Sequence, residues 1–207
     1  AADCTGHGVP GAFMSMIANS FLNEVVNEKN ILQPDLILNE LRKKIIKAMR
    51  QTGESMENKD GLDISFCAIS NNKLSYSGAN NPLWIVRKME SVSEFDETEP
   101  IALNNYKLVE IPADKQPIGT QPNAKDFTVK SLNLLSGDTI YLFTDGYADQ
   151  FGGPKKKKFK YKKLSELLLA IHEKPMEEQK NILGSTIENW KGELEQIDDI
   201  LLIGVKI

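Results

Sequence analysis

Cysteine is scarce in this chain. Only Cys4 and Cys67 occur among the 207 residues, a single pair without the spacing of a metal knuckle and no basis for a disulfide scaffold. That scarcity points to a reducing, cytoplasmic setting and leaves Cys4 as a candidate reactive thiol, to be judged on its surroundings. Long apolar runs are missing too. Nothing approaches the roughly 18 consecutive apolar residues that a bilayer demands, and no stretch has the shape of a signal peptide. Positive charge is not in surplus either: the formal net charge is −4, which excludes nucleic acid as the expected main partner. No internal repeat occurs, and no interior linker divides the chain. What remains is an ordinary globular mixture, 41% hydrophobic and 26% charged, long enough for one domain with a real core.

Periodicity supplies the elements. Residues 10–29 read as a helix, with Pro10 in its first turn and two apolar stripes, Phe13, Ile17, Phe21, Val25 and Met14, Ala18, Leu22, Val26. A second helix starts near Pro34-Asp35 and is expected to bury Leu38, Leu41, Ile45 and Met49, leaving Arg42, Lys43, Lys44 and Lys47 mostly outside. The methionines read as core filler. The middle is rich in β-structure: strands over 62–70 and 74–77 flank the turn Asn71-Asn72, followed by strands over 83–87, 106–111, 127–134 and 139–143. The acidic loop 90–99 interrupts them and is expected to be mobile. Helices over 161–173 and 175–190 follow, the second with Met176, Gln179, Leu183, Ile187 and Trp190 on one face, and a strand over 199–207 closes the chain. A helix pair, a strand run, a helix pair and a closing strand read as α+β, not as alternating βαβ.

Four short stretches carry the chemistry. They are Asp3-Cys4-Thr5-Gly6-His7-Gly8, Ser77-Gly78-Ala79-Asn80-Asn81-Pro82, Thr144-Asp145-Gly146 and Gln196-Ile197-Asp198-Asp199-Ile200. The three acidic ones set an aspartate beside a glycine or at the edge of an apolar strand, where backbone can come close to an ion or a phosphate. Aspartates so placed, far apart in sequence, suggest a site for a hard cation assembled by the fold. Each has a plain structural alternative. Asp3 can cap the helix that follows, Asp145 can serve a turn, and Asp198 can end a loop.

Taken together and in this order, the four stretches resemble the metal-dependent PPM (type 2C) protein serine/threonine phosphatases, in particular their bacterial SpoIIE/RsbU-like branch. The resemblance runs from residue 2 to the C-terminus and implies one SpoIIE-like phosphatase domain over 1–207. The implied fold is an α-β-β-α sandwich of two mostly antiparallel sheets flanked by helices. Ala1-Ala2-Asp3 reads as the end of a strand. The resemblance places further strands upstream, bearing another acidic metal residue and often a basic phosphate-binding residue, so the domain is expected to be N-terminally truncated. A start inside a strand would expose a sheet edge, so a dimer of this chain could be a product of the truncation itself.

The resemblance also implies a site. Asp3 matches the bridging aspartate and the Cys4 carbonyl a neighbouring backbone ligand. Asp145 and Asp198 match the aspartates that hold one ion. Asp199 is the immediate rival of Asp198, and the resemblance aligns the first acid of the pair. Two divalent cations, magnesium or manganese about 3.5–4 Å apart, would neutralise phosphate charge and activate water. The implied reaction is hydrolysis of phosphoserine or phosphothreonine on a regulatory protein, often an anti-sigma-factor antagonist, without a covalent enzyme intermediate. No Cys-x5-Arg loop is present, which argues against the cysteine-dependent phosphatases. Domains of this branch usually form the output end of a sensor, so an upstream sensory domain is expected, with this part cytoplasmic even where the sensor is membrane-bound. The alternative from another class is a catalytically inactive regulatory or binding domain of the same fold. A purely structural oligomerisation domain is the third.

Several residues keep two readings. His7 suits acid–base work or a structural place in its turn. Asn80 and Asn81 can orient substrate or shape their loop. Asp149 and Gln150 stand close enough in sequence to support the metal ligands. The lysine run over 155–163, which follows Gly152-Gly153-Pro154, can recruit an acidic protein surface or phosphopeptide, touch lipid headgroups, or simply be a solvated flap.

Overall fold

The computed structural model describes residues 1–6, 8–51, 60–91, 95 and 100–207. His7 and most of the loop 90–99 therefore lie outside the described residues. The chain forms two compact units, each made of two stretches: Ala1–Pro82 with Pro112–Asn133, and Leu83–Ile111 with Leu134–Ile207. In chain order the elements begin with β1 (Ala2–Cys4), α1 (Gly8–Asn23), α2 (Pro34–Ala48), β2 (Leu62–Ser70), β3 (Lys73–Ala79), β4 (Leu83–Lys88), β5 (Ala102–Leu103), β6 (Tyr106–Ile111) and β7 (Lys130–Asn133). They continue with β8 (Thr139–Phe143), α3 (Gly146–Asp149), β9 (Phe151–Gly152), β10 (Lys157–Lys158), α4 (Tyr161–Ile171), α5 (Met176–Lys191) and β11 (Leu202–Lys206).

The first unit is an antiparallel sheet in the order β1-β2-β3-β7, with α1 and α2 as its helices. Its core joins Met14 and Ala18 of α1 and Leu38, Leu41 and Ile45 of α2 to Leu62 and Ile64 of β2. Of the two stripes expected on the first helix, the one through Met14 and Ala18 is buried, while Phe13 is 61% exposed. The helix is also interrupted. From Glu24 to Glu28 the chain is π-helical, and the Lys29 N–H donates to the Glu24 carbonyl at 2.9 Å. The wider turn buries Val25 while Glu24 meets the Lys44 ammonium at 2.6 Å.

Two further expectations fail locally. Met49 stands outside at the end of α2, and Arg42 is buried, its guanidinium 4.8 Å above the Phe127 ring and 3.6 Å from the Asp126 carboxylate. The strand expected over 127–134 shrinks to β7 because the preceding backbone is bound to side chains instead of a neighbouring strand. The Phe127 N–H donates to Asn39 Oδ1 at 3.0 Å and the Thr128 N–H to Asp114 Oδ2 at 2.7 Å.

The second unit is a sheet in the order β11-β8-β4-β6-β5, all antiparallel, together with the small ribbon β9-β10. Trp84, Val86, Tyr141 and Phe143 pack with Leu164 and Leu168 of α4 and Leu183 and Ile187 of α5. That burial draws on the helical spacing legible in the sequence, and each fully buried side chain of this size contributes about 1.5–3 kcal/mol. Arg87 of β4 and Asp138, just ahead of β8, form a buried ion pair with two hydrogen bonds, at 3.2 and 2.5 Å.

Candidate metal centre

Asp145 is delivered by β8, whose five residues are all buried. The strand ends at Phe143, Thr144 follows, and Asp145 stands just ahead of the single turn α3 without a side-chain capping hydrogen bond to it.

Asp198 reaches Asp145 through a clamp built on Thr144. The Thr144 hydroxyl donates to the Asp199 carbonyl at 3.0 Å and accepts from the Leu201 N–H at 3.0 Å. The Thr144 N–H donates to the Leu201 carbonyl at 3.0 Å. This pairing replaces regular ladder at 199–201, so β11 begins at Leu202 and not at Asp199. Within this unit, carboxylate oxygens of Asp145 and Asp198 lie within 4.8 Å of one another. The Asp199 N–H donates to Asp198 Oδ1 at 2.8 Å, and the Gln196 amide donates to the Asp198 carbonyl at 2.8 Å.

Gly146 makes the approach sterically feasible. A Cβ there would stand 2.4 Å from the Asp199 carbonyl oxygen and 3.4 Å from Asp198 Cβ. The donor set is two carboxylates among backbone carbonyls, partly open to solvent, which fits a hard divalent cation and not a soft one.

Gln150 and Asp149 have acquired definite partners. The buried Gln150 amide donates to the Glu195 carbonyl at 2.9 Å, holding the segment that leads to Asp198. Asp149 instead accepts from Lys158 at 2.7 Å.

In the first unit, Asp3 lies in β1, half-buried, with Asp63 directly opposite it on β2. The Cys4 thiol is not activated: burial, the largest cause, and the neighbouring Asp3 push its pKa up, against a hydrogen bond with Ser15. Asp63 was not visible from sequence, because only the β1–β2 register sets it across from Asp3. Asn80, at φ 57°, donates to Asp63 Oδ1 at 2.8 Å. Its neighbour Asn81 is buried and its carbonyl accepts from the Tyr76 hydroxyl at 2.7 Å. Asn80 is thus tied to β2 by its side chain and Asn81 to Tyr76 by its backbone.

The sequence matches the family model described as Stage II sporulation protein E (SpoIIE) over residues 1–207. The chain belongs to the SpoIIE family. Solved structures give this SpoIIE domain the fold of PP2C phosphatase domains. The SiaA-PP2C domain of Pseudomonas aeruginosa superposes with a TM-score of 0.78 at 24% identity, covering 100% of this chain and 74% of that one. The PP2C phosphatase domain of Bacillus subtilis SpoIIE with a fragment of its regulatory domain gives 0.67 at 15% identity, covering 99% of this chain and 52% of that one. The catalytic domain of the serine/threonine phosphatase PstP, in complex with two manganese ions, gives 0.59 at 13% identity over 98% and 84% of the two chains. Among curated proteins, none matches this SpoIIE domain in sequence. No helix among the described residues is long and apolar enough to cross a membrane.

Proposed function

We propose that this domain hydrolyses phosphoserine or phosphothreonine on a regulatory protein, as the output domain of a signalling protein on the cytoplasmic side. The observation that carries the reading is the Asp145–Asp198 pair, fixed by the Thr144 clamp in a SpoIIE-family chain. In this reading two divalent cations, magnesium or manganese, are held by Asp3, the Cys4 carbonyl, Asp145 and Asp198. Such ions, when bound, neutralise phosphate charge and lower the pKa of water.

The chain's own part is positional. Asp145 and Asp198 supply fixed anionic oxygens, so little rearrangement is needed when a cation and a phosphate arrive. Thr144 keeps the two acidic turns in register, and Gly146 lets them touch. Gln150 holds the backbone ahead of Asp198. Asp198 is preferred to Asp199 because the family resemblance aligns the first acid of the pair, and an Asp198 carboxylate oxygen lies within 4.8 Å of one from Asp145. The regulatory protein is expected to be a small phosphorylated regulator such as an anti-sigma-factor antagonist.

The test is phosphate release from matched phosphoserine, phosphothreonine and phosphotyrosine peptides in manganese, with chelator as the control. Turnover of the first two, abolished by chelator, supports the reading. Absence of turnover, with no manganese bound, would favour an inactive regulatory domain of the same fold.

A further inference from the structure

The lysine run ends up as a braced, outward-facing ribbon. Seven of the nine residues from 155 to 163 are lysine, and β9 and β10 pair antiparallel through Lys157 opposite Gly152 and Lys158 opposite Phe151. The ribbon is fastened from below. The Gly153 N–H donates to the Trp190 carbonyl at 2.7 Å, and a Cβ on Gly152 would sit 1.9 Å from that same oxygen. The Phe159 N–H donates to the Gln150 carbonyl at 3.0 Å and the Lys160 N–H to the Ala148 carbonyl at 2.6 Å. Glycine at 152 and 153 is thus what lets the ribbon lie against α5.

Among the aromatic residues of this segment Phe159 is covered, while Phe151 and Tyr161 are 39% and 41% exposed. Phe159 is buried, its ring 5.2 Å from Tyr147 and 5.3 Å from Trp190. Tyr161 turns its ring toward Trp84 and Phe143. Lys158 is taken by Asp149, and Lys163 lies 3.7 Å from the Trp190 ring centre. Among the described residues, the exposed Lys155, Lys156, Lys157, Lys160 and Lys162 have no carboxylate partner. A solvated flap would not hold several uncompensated like charges on a fixed support at a cost in mutual repulsion.

We propose that this ribbon docks an acidic segment of the phosphoprotein substrate, beside the residue to be dephosphorylated. The inference rests on the phosphatase reading and deepens it. The ribbon follows α3 directly, Asp145 immediately precedes α3, and the Lys158–Asp149 pair ties the two together. A substrate whose phosphate lies at Asp145 and Asp198 would present its flanking residues to the lysines. A membrane surface fits less well, because the ribbon follows directly on the acidic turn at Asp145, where the substrate has to lie; with Phe151 and Tyr161 partly exposed, lipid contact is an outcome of the test. Nucleic acid is disfavoured by the net charge of −4.

The experiment uses two fluorescein-labelled phosphoserine peptides, one flanked by glutamates and the other by glutamines at the same positions. Anisotropy measures binding, and manganese-dependent phosphate release measures kcat/KM. The wild-type chain should prefer the glutamate peptide roughly tenfold, the size that a few exposed charge pairs supply together. Raising the salt should erase the preference. The triple substitution Lys155→Glu, Lys156→Glu, Lys157→Glu should abolish it, while arginine at all three positions retains it. Hydrolysis of p-nitrophenyl phosphate should be unchanged in both variants. Equal binding of the two peptides, or a preference that survives the glutamate substitutions, overturns the proposal. So does a glutamate variant that loses binding to phosphatidylserine vesicles while the wild type fails to discriminate the peptides; the ribbon would then be a lipid contact. If discrimination is seen by anisotropy without hydrolysis of any substrate, docking stands and the phosphatase reading falls. Hydrolysis without discrimination means the reverse.

Discussion

The hydroxyl of Thr144 donates to the backbone carbonyl of Asp199 at 3.0 Å, across 55 residues of chain. Through this one side chain the end of β8 and the approach to β11 are held in the arrangement that sets Asp145 beside Asp198. Thr144 itself is 2% exposed, while the residues that carry its partners, Asp199 and Leu201, stand at the surface.

Replacing Thr144 with valine keeps the shape and removes both side-chain hydrogen bonds. The variant should lose about 1–3 kcal/mol of stability, read as a lower denaturant midpoint at unchanged slope, and bind manganese more weakly. Thr144→Ser, which keeps the hydroxyl, should recover most of both.

Gly146→Ala tests the closeness of the two acidic turns. The added methyl would press on the Asp199 carbonyl, which cannot move without disturbing the Thr144 clamp. A stability loss of about 1–3 kcal/mol is expected, and manganese affinity measured by calorimetry should fall with it. Unchanged affinity would mean that the close approach has no bearing on cation binding.

The Arg87–Asp138 pair is buried on both sides, and Asp138 Oδ2 also accepts the Leu135 N–H at 2.9 Å. Asp138→Ala takes the carboxylate away from a buried guanidinium and should cost about 3–5 kcal/mol. The double replacement Arg87→Met with Asp138→Leu should cost much less. Thermal unfolding of the two variants side by side checks this.

The thiols carry a pH signature. Burial pushes the Cys67 thiol up, as it does that of Cys4. Because thiolate is the reactive form, both should alkylate with iodoacetamide more slowly than glutathione at neutral pH, accelerating as pH rises. Two free cysteines of this kind give no support to a reactive role for Cys4.

Much of this was legible in sequence, for identifiable reasons. Asn71 and Asn72 both adopt positive φ, 50° and 59°, the conformation that asparagine tolerates in a tight turn, so the β2–β3 hairpin could be read directly. Thr144-Asp145-Gly146 follows the mostly apolar strand Thr139–Phe143, so its place at a strand end was equally plain. The π turn at Glu24–Glu28 was not legible, because Val25 keeps the helical apolar stripe through it. Nor was the burial of Arg42, which depends on Phe127 arriving from far along the chain. Asp63 escaped notice because only the strand register sets it opposite Asp3. In the lysine run, composition gave the charge but not the burial of Phe159 against Tyr147 and Trp190.

The most direct test of the metal-dependent phosphatase account is phosphate release from a phosphoserine peptide as manganese is titrated, for the chain and for Asp145→Asn, Asp198→Asn and Asp199→Asn. The account predicts saturable manganese dependence, a loss of about 100-fold or more in the first two variants, and a much smaller loss in the third. A chain whose activity is indifferent to manganese, or whose Asp145→Asn variant keeps the wild-type rate, would contradict it.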